Sequence, residues 1–374
     1  MARYTPEHPN PHFDLEVVMT ERSGDMSRRR LLLGGTALGA GVLLAACTDA
    51  ENPDKTDNSN TGQTGAQQGS NAQPGKAITI GFSAPAADHG WIAAITKNAE
   101  AQAKKYSEVT FKPVAAGKDV AEQRAAVEAL IAQKPDVIVL LPHDGAQMTT
   151  TGRTAMDAGI PVVNLDREFS DTASYRTLIK GDNYGMGVAA AHYIAKKLKS
   201  QNKTNPVIAE IAGMDELPLT QDRSKGFADT LKSYGLSVTR RQAARFTVAS
   251  GQEVTANLLQ ANPKIDAIWN QDDDQGVGVL QAITQANRKE FFMVGGAGSL
   301  DAMELIKAGS SPLECTVTYS PTMASSAISL ARLIAQNRKL DDLVELQVPK
   351  LIILQSETIT KDNVDQYLPL GFKS

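Results

Sequence analysis

The amino-acid sequence predicts an α/β protein built as two doubly wound parallel-sheet lobes. Three observations carry that expectation. From residue 77 onward, short β-branched runs alternate with amphipathic helical stretches, the pattern of a parallel sheet covered on both faces. The alternation breaks at Gly181-Asp182-Asn183-Tyr184-Gly185 and then resumes. The strands are too many for one comfortable sheet of this length, so a second lobe after the break is the better reading.

In order, residues 77–83 (AITIGFS) read as a strand and 90–106 as a helix with Ile92, Ile95, Ala99 and Ala103 on one face. Strand 109–115, helix 120–133 and the near-continuous apolar strand 136–141 follow. After helix 146–158 comes Gly159-Ile160-Pro161-Val162-Val163-Asn164-Leu165-Asp166-Arg167. A turn-forming Gly and a Pro that only the first position of a strand tolerates open a buried strand, 162–166, which ends in an acid and a base. Strand 176–180 precedes the break, and a helix with Val188, Ala191, Ile194 and Leu198 follows it. Strands 207–212, 236–241, 267–270, 291–295, 314–318 and 350–354 then alternate with helices 221–234, 252–260, 276–286, 300–307 and 322–334. The tail 358–367 is short and polar, and no internal repeat is evident.

The 374 residues, 42% hydrophobic and 21% charged with a net charge of -4, suffice for two cores and give no reason to expect a nucleic-acid partner. The N-terminal part stands apart. Ser27-Arg28-Arg29-Arg30-Leu31-Leu32-Leu33 is a twin-arginine stretch, and a Gly/Ala/Leu run follows up to Leu44-Ala45-Ala46-Cys47. A basic region, a short apolar region and small residues before a cut form an export signal over 1–47. The run 31–46 is short and Gly-rich for a membrane span, so an anchor helix is the poorer reading. Its last four residues resemble a lipobox, the signal for bacterial lipoprotein processing, which implies that Cys47 is lipidated. Residues 48–76, rich in Asn, Gln, Thr, Gly and Ser, have little to bury and read as a disordered tether. Cys315 is then left without a partner and reads as a small buried residue rather than a nucleophile.

No catalytic or metal constellation assembles. His89, His143 and His192 are scattered, and two cysteines cannot build a zinc cage. Asp272-Asp273-Asp274 are three adjacent acids at a strand end, which do not point the same way. Gly295-Gly296-Ala297-Gly298 would suit a phosphate cradle, but a tight strand-to-helix turn is the plainer account. Neither an enzyme, a metal nor a cofactor is expected.

What recurs is polar or aromatic residues just beyond strand carboxyl ends, where open α/β sheets bind ligands. Asp88, His89 and Trp91 follow the first strand, His143 and Asp144 the third, Asp166 and Arg167 the fourth. Beyond the break come Gln221 and Arg223, then Phe246, Asp272 and Tyr319. An Asp accepts from hydroxyls, an Arg donates a planar fork, and an aromatic face covers C–H surface, so the set suits a neutral ligand rich in hydroxyls. The competing reading of Asp166-Arg167 is a plain ion pair. The candidate ligand-binding residues are Asp88, His89, Trp91, Asp144, Asp166, Arg167, Gln221, Phe246, Asp272 and Tyr319.

From Ile78 to the end the chain resembles type I periplasmic sugar-binding proteins, the ribose-binding-protein-like receptors of ABC transporters. The resemblance rests on Ser83…His89-Gly90-Trp91, Pro142-His143-Asp144, Ile160-Pro161-Val162…Asp166-Arg167, Gly181-Asp182-Asn183, Arg223-Ser224-Lys225-Gly226-Phe227, the stretch 270–278 and Gly295-Gly296-Ala297. It implies two lobes joined by three crossovers, near Asp182, Tyr319 and Lys350, closing over ligand by a hinge. The lobes would comprise 77–182 with 320–349, and 183–319 with 350–374. It also implies that Asp166 and Arg167 hold sugar hydroxyls.

Several positions depart from the ribose-binding pattern: Asp272 for Asn, Ala297 for Asp, Tyr319 for Gln, Gln221 for Arg, and Leu141 for a polar residue. These point away from ribose, and His89-Gly90-Trp91 resembles receptors for other pentoses, furanose hexoses and polyols. The implied function is capture of such a monosaccharide or polyol outside the cytoplasmic membrane by a monomeric, lipid-anchored protein that delivers it to an ABC permease. A chemosensory receptor of the same fold is the alternative.

Overall fold

The structure, a computed structural model, describes residues 70–374. The twin-arginine stretch, Cys47 and nearly all of the expected tether lie outside the described residues.

The first lobe opens with β1 (Ile78–Ala84), α1 (Gly90–Ala103), β2 (Val109–Ala115), α2 (Val120–Ala132), β3 (Val137–Leu140), α3 (Gly145–Asp157), β4 (Val162–Leu165) and β5 (Thr177–Gly181). The chain then crosses into the second lobe: α4 (Asn183–Ser200), β6 (Ile208–Ala212), α5 (Pro218–Ser233), β7 (Arg240–Ala243), α6 (Val248–Ala261), β8 (Ala267–Asn270), α7 (Asp273–Gln285), β9 (Phe292–Ala297), α8 (Leu300–Ala308) and β10 (Leu313–Thr318). It returns for α9 (Met323–Ala335) and β11 (Leu351–Leu354), and ends with β12 (Thr358–Thr360) and α10 (Val364–Tyr367).

Each lobe is one six-stranded sheet. The orders are β11-β5-β4-β3-β1-β2 and β12-β10-β9-β8-β6-β7, parallel throughout except for β12, which runs antiparallel to β10. The interior strands are apolar on both faces because helices cover both: all four residues of β3 (VIVL) and of β4 (VVNL) are buried. The edge strands β2, β7 and β11 are exposed at alternate positions or throughout. Strand β7 accordingly starts later than its expected 236–241, because an edge strand with nothing to bury on its outer face leaves little periodicity to read. Order reverses at β1 in one sheet and at β6 in the other, each flanked by its own successor strands, and such switch points open crevices at the carboxyl edge.

Three crossovers join the lobes, at Asp182, at 319–322 and at 355–357. The last corrects the expected boundary at residue 350. Strand β11 belongs to the first sheet, pairing in parallel with β5 at Leu351↔Leu178, with Leu178 N–H donating to Lys350 O at 2.9 Å. A strand's own residues show that it is a strand; which free sheet edge it completes is decided by the edge.

Candidate functional site

The carboxyl ends of both sheets face one cavity, with about 310 Å³ of empty space, lined by His89, Trp91, Asp166, Arg167, Leu219, Arg223, Phe246, Asp272 and Tyr319. The first lobe supplies His89 and Trp91 from the start of α1 and Asp166 and Arg167 from the end of β4; the second supplies the rest.

Asp166 is placed by an unusual backbone. Its φ is +64°, and Arg167 N–H donates to Leu165 O at 2.9 Å, closing a γ-turn around it. Asp tolerates this left-handed region better than most residues. The turn breaks the in-out alternation of the strand, so two successive side chains reach the same cavity. Asp166 and Arg167 do not pair with each other. The Asp166 carboxylate accepts from the Tyr319 hydroxyl, at the second crossover. Arg167 Nη1 donates to His143 O at 2.6 Å, while its buried Nε–H finds no partner among the described residues. Burial lowers the Arg167 pKa, against the nearby charges of Asp166 and Asp88.

Two lining residues, Leu219 and Arg223, stand outside the candidate set, although Arg223 was noted beside Gln221 beyond its strand. Arg223 is 4% exposed, its Nε donates to Asn183 Oδ1 at 2.9 Å, its Nη1 donates to Gln271 O at 3.2 Å, and its guanidinium lies 4.4 Å from the centre of the Tyr319 ring. Asn183 in turn donates to the Tyr319 hydroxyl at 3.1 Å. A polar chain thus runs Arg223–Asn183–Tyr319–Asp166 across the hinge side of the cavity. Helix α5 starts at Pro218, three residues before its expected start at 221. Gln221 is therefore in the helix and exposed, with its amide donating to Asp215 O at 3.0 Å, while Arg223, about 200° round the helix at 3.6 residues per turn, points inward. The signal was available: Arg223 shares its face with Gly226 and Phe227, which are buried.

Two other candidates also stand outside the cavity lining. Asp144 is the N-cap of α3, accepting from Gln147 N at 2.8 Å. Asp88 is exposed and holds the His89 ring from outside, with Oδ1 2.5 Å from Nδ1. Burial works against charge on His89, but the Asp88 hydrogen bond and the acids Asp272 and Asp274 outweigh it and raise its pKa.

The aromatic walls are Trp91, Phe246 and Tyr319. The Trp91 and Tyr319 ring centres are 5.8 Å apart, and His89 lies 6.3 Å from Phe246. Phe246 also has positive φ, +62°, held by its N–H on Gln275 Oε1 at 3.1 Å and by its ring lying where a Cβ on Gly213 would fall.

The three consecutive acids take three directions. Asp272 lines the cavity and caps α7 through the N–H groups of Asp274 (2.9 Å) and Gln275 (3.1 Å); burial, then the neighbouring Asp274, push its pKa up to about 7. Asp273 turns to the glycine-rich turn, accepting from the N–H groups of Gly296, Gly298 and Ser299, each at 2.9 Å. The cradle that would suit a phosphate is filled by this internal carboxylate. Asp274 accepts from Trp91 N–H at 2.8 Å. Cys315 is buried, and burial raises its thiol pKa well above the usual range.

Among the described residues no helix is long and apolar enough to cross a membrane. A family model for the periplasmic binding protein domain matches residues 80–339. The chain is 32% identical to the ribose import binding protein of Bacillus subtilis over 68% of this chain and 80% of that one. It is 30% identical to the galactofuranose-binding protein of Escherichia coli over 67% and 80%. A solved structure from Mycobacterium smegmatis in complex with β-D-fucofuranose superposes with a TM-score of 0.70 at 27% identity, over 78% of this chain and 94% of that one.

Proposed function

Because the chain belongs to the periplasmic binding protein family, whose members bind rather than transform their ligands, we propose that it captures a neutral monosaccharide or polyol between its lobes and delivers it to an ABC permease. The observation that carries this reading is the Arg167 Nε–H, buried in the wall of the cavity with no partner among the described residues. A buried donor left unpaired costs about 1–3 kcal/mol, which a ligand oxygen would recover. Asp166 accepts from hydroxyls of the ligand, Arg167 and Arg223 donate to its oxygens, and Trp91 and Phe246 cover its C–H faces. The likeness to a galactofuranose-binding protein and to a fucofuranose complex favours a pentose or a furanose form.

A melting screen over D-ribose, L-arabinose, D-galactose, D-fucose, D-allose and myo-inositol tests this. A ligand at a hundred times its Kd stabilises the fold by about 2.7 kcal/mol, so one or more should raise Tm by several degrees. The same sugar should shrink the radius of gyration as the lobes close. A panel without effect on Tm or radius would remove the sugar reading.

We also propose that Cys47 carries lipid, so that the protein sits on the outer face of the cytoplasmic membrane as a monomer. Cys47→Ser should then move it to the soluble exported fraction, since anchoring by several acyl chains is lost with the thiol. Continued membrane association of this variant, seen by fractionation, would mean that the run 31–46 is itself the anchor.

A further inference from the structure

At the edge of the ligand cavity, the two lobes meet at the start of α1. The N-cap of that helix, His89, makes no side-chain bond back to the helix. The orphan N–H of Trp91 is instead capped from the other lobe by Asp274 Oδ2, at 2.8 Å, and Asp274 is 2% exposed. The indole Nε1–H of the same Trp91 donates to Tyr319 O at 2.8 Å. The approach is so close that a Cβ on Gly90 would lie 2.2 Å from Lys373 O and 2.7 Å from Asp274 Oδ1. Lys373 and Ser374 are fixed to the second lobe, the latter by its N–H on Asp301 Oδ2 at 2.9 Å. Gly90 is not among the positive-φ residues, so alanine there suits the isolated helix and clashes only when the lobes are shut.

We infer that Gly90, the Trp91 N–H and Asp274 form a latch that sets the population of the closed form, so that Gly90 and Asp274, which lie outside the cavity lining, control affinity through the Trp91 backbone. Helix α1 lacks an N-cap of its own and acquires one only on closure. The carboxylate suits the positive end of the helix dipole, and a hydrogen bond to a charged acceptor is among the stronger ones. Gly90 lets the two backbones come within reach. In an opened cleft the Trp91 N–H turns to water and the carboxylate is rehydrated, so the contact acts on the equilibrium between forms rather than on either lobe alone.

The test is amide exchange at Trp91 in the ligand-free full chain, comparing wild type with Asp274→Ala and Gly90→Ala. Both variants should speed exchange of that amide at least fivefold, with each lobe's core amides unchanged. Without a latch, Gly90→Ala leaves the same exchange at its wild-type rate, because the orphan Trp91 N–H has no acceptor inside its own helix for a better helix former to strengthen. Wild-type or slower exchange in Gly90→Ala overturns the inference. That variant leaves α7 untouched and decides alone if Asp274→Ala perturbs the second lobe. Affinity for the panel sugar with the largest Tm shift should fall at least tenfold in Gly90→Ala. This second arm rests on the sugar reading: a panel in which nothing binds wild type overturns that reading, and the exchange result still decides the latch.

Discussion

Asp166→Asn is expected to weaken binding by about tenfold to a hundredfold while leaving Tm within a degree or two of wild type. Asparagine keeps the shape and tolerates the +64° φ that alanine would find costly. It loses the charge and turns one acceptor oxygen into a donor. A hydrogen bond to a charged group contributes about 1.5–3 kcal/mol, which is that range in affinity. The Tyr319 hydroxyl remains bonded on one side, so the loss falls on the ligand. Arg167→Lys should behave similarly, because a lysine cannot supply the planar fork that spans His143 O and the cavity. If Asp166 only stabilised the hinge, the pattern would reverse, with Tm lowered and affinity kept. Calorimetry with the panel sugar, beside a melt of each variant, separates the two, and wild-type affinity in both variants would sink the assignment.

Arg223→Met should damage both properties at once. The methionine fills much of the volume but strands Asn183 Oδ1 and Gln271 O, two buried acceptors. Each unpaired group costs about 1–3 kcal/mol, enough to lower Tm by several degrees. Asn183 then no longer fixes the Tyr319 hydroxyl against Asp166, and the cavity loses a guanidinium, so affinity should fall by at least about tenfold. Arg223→Lys retains charge but cannot reach both acceptors or lie flat 4.4 Å from the Tyr319 ring, and should rescue little. Wild-type stability in Arg223→Met would show that the polar chain across the hinge is not coupled.

These two residues also show what the sequence made legible. Asp166 was readable because a buried apolar strand that ends in Asp-Arg has one natural place for those side chains, the carboxyl edge of its sheet. His89, Trp91, Phe246, Asp272 and Tyr319 were placed by the same rule, and all line the cavity. Arg223 was noted beside Gln221 but left out of the candidate set, because two residues taken as the loop beyond a strand were not sorted by helix face; the helix already runs from Pro218 and turns Arg223 inward with Gly226 and Phe227. Asp144 follows a strand as the binding residues do, but Asp followed three residues later by Gln also caps a helix, and the cap prevailed. The partner of β11 lies in another part of the chain and left no mark on its own residues.

The position of that last strand bears on how the chain folds as it is made. The first lobe lacks α9 over α1, β3 and β4 until residue 335 has been synthesised, and its sheet lacks β11 until residue 354. The second lobe is nearly continuous by comparison, from α4 to β10, with β12 its only later strand. Domains fold as units during synthesis, usually the N-terminal one first. Here neither sheet is complete until the C-terminal segment has emerged: the first waits for β11 and the second for β12. Until then the first lobe's nascent segments keep apolar surface open, and the ribosome or a chaperone holds an unfinished half beside a nearly finished one.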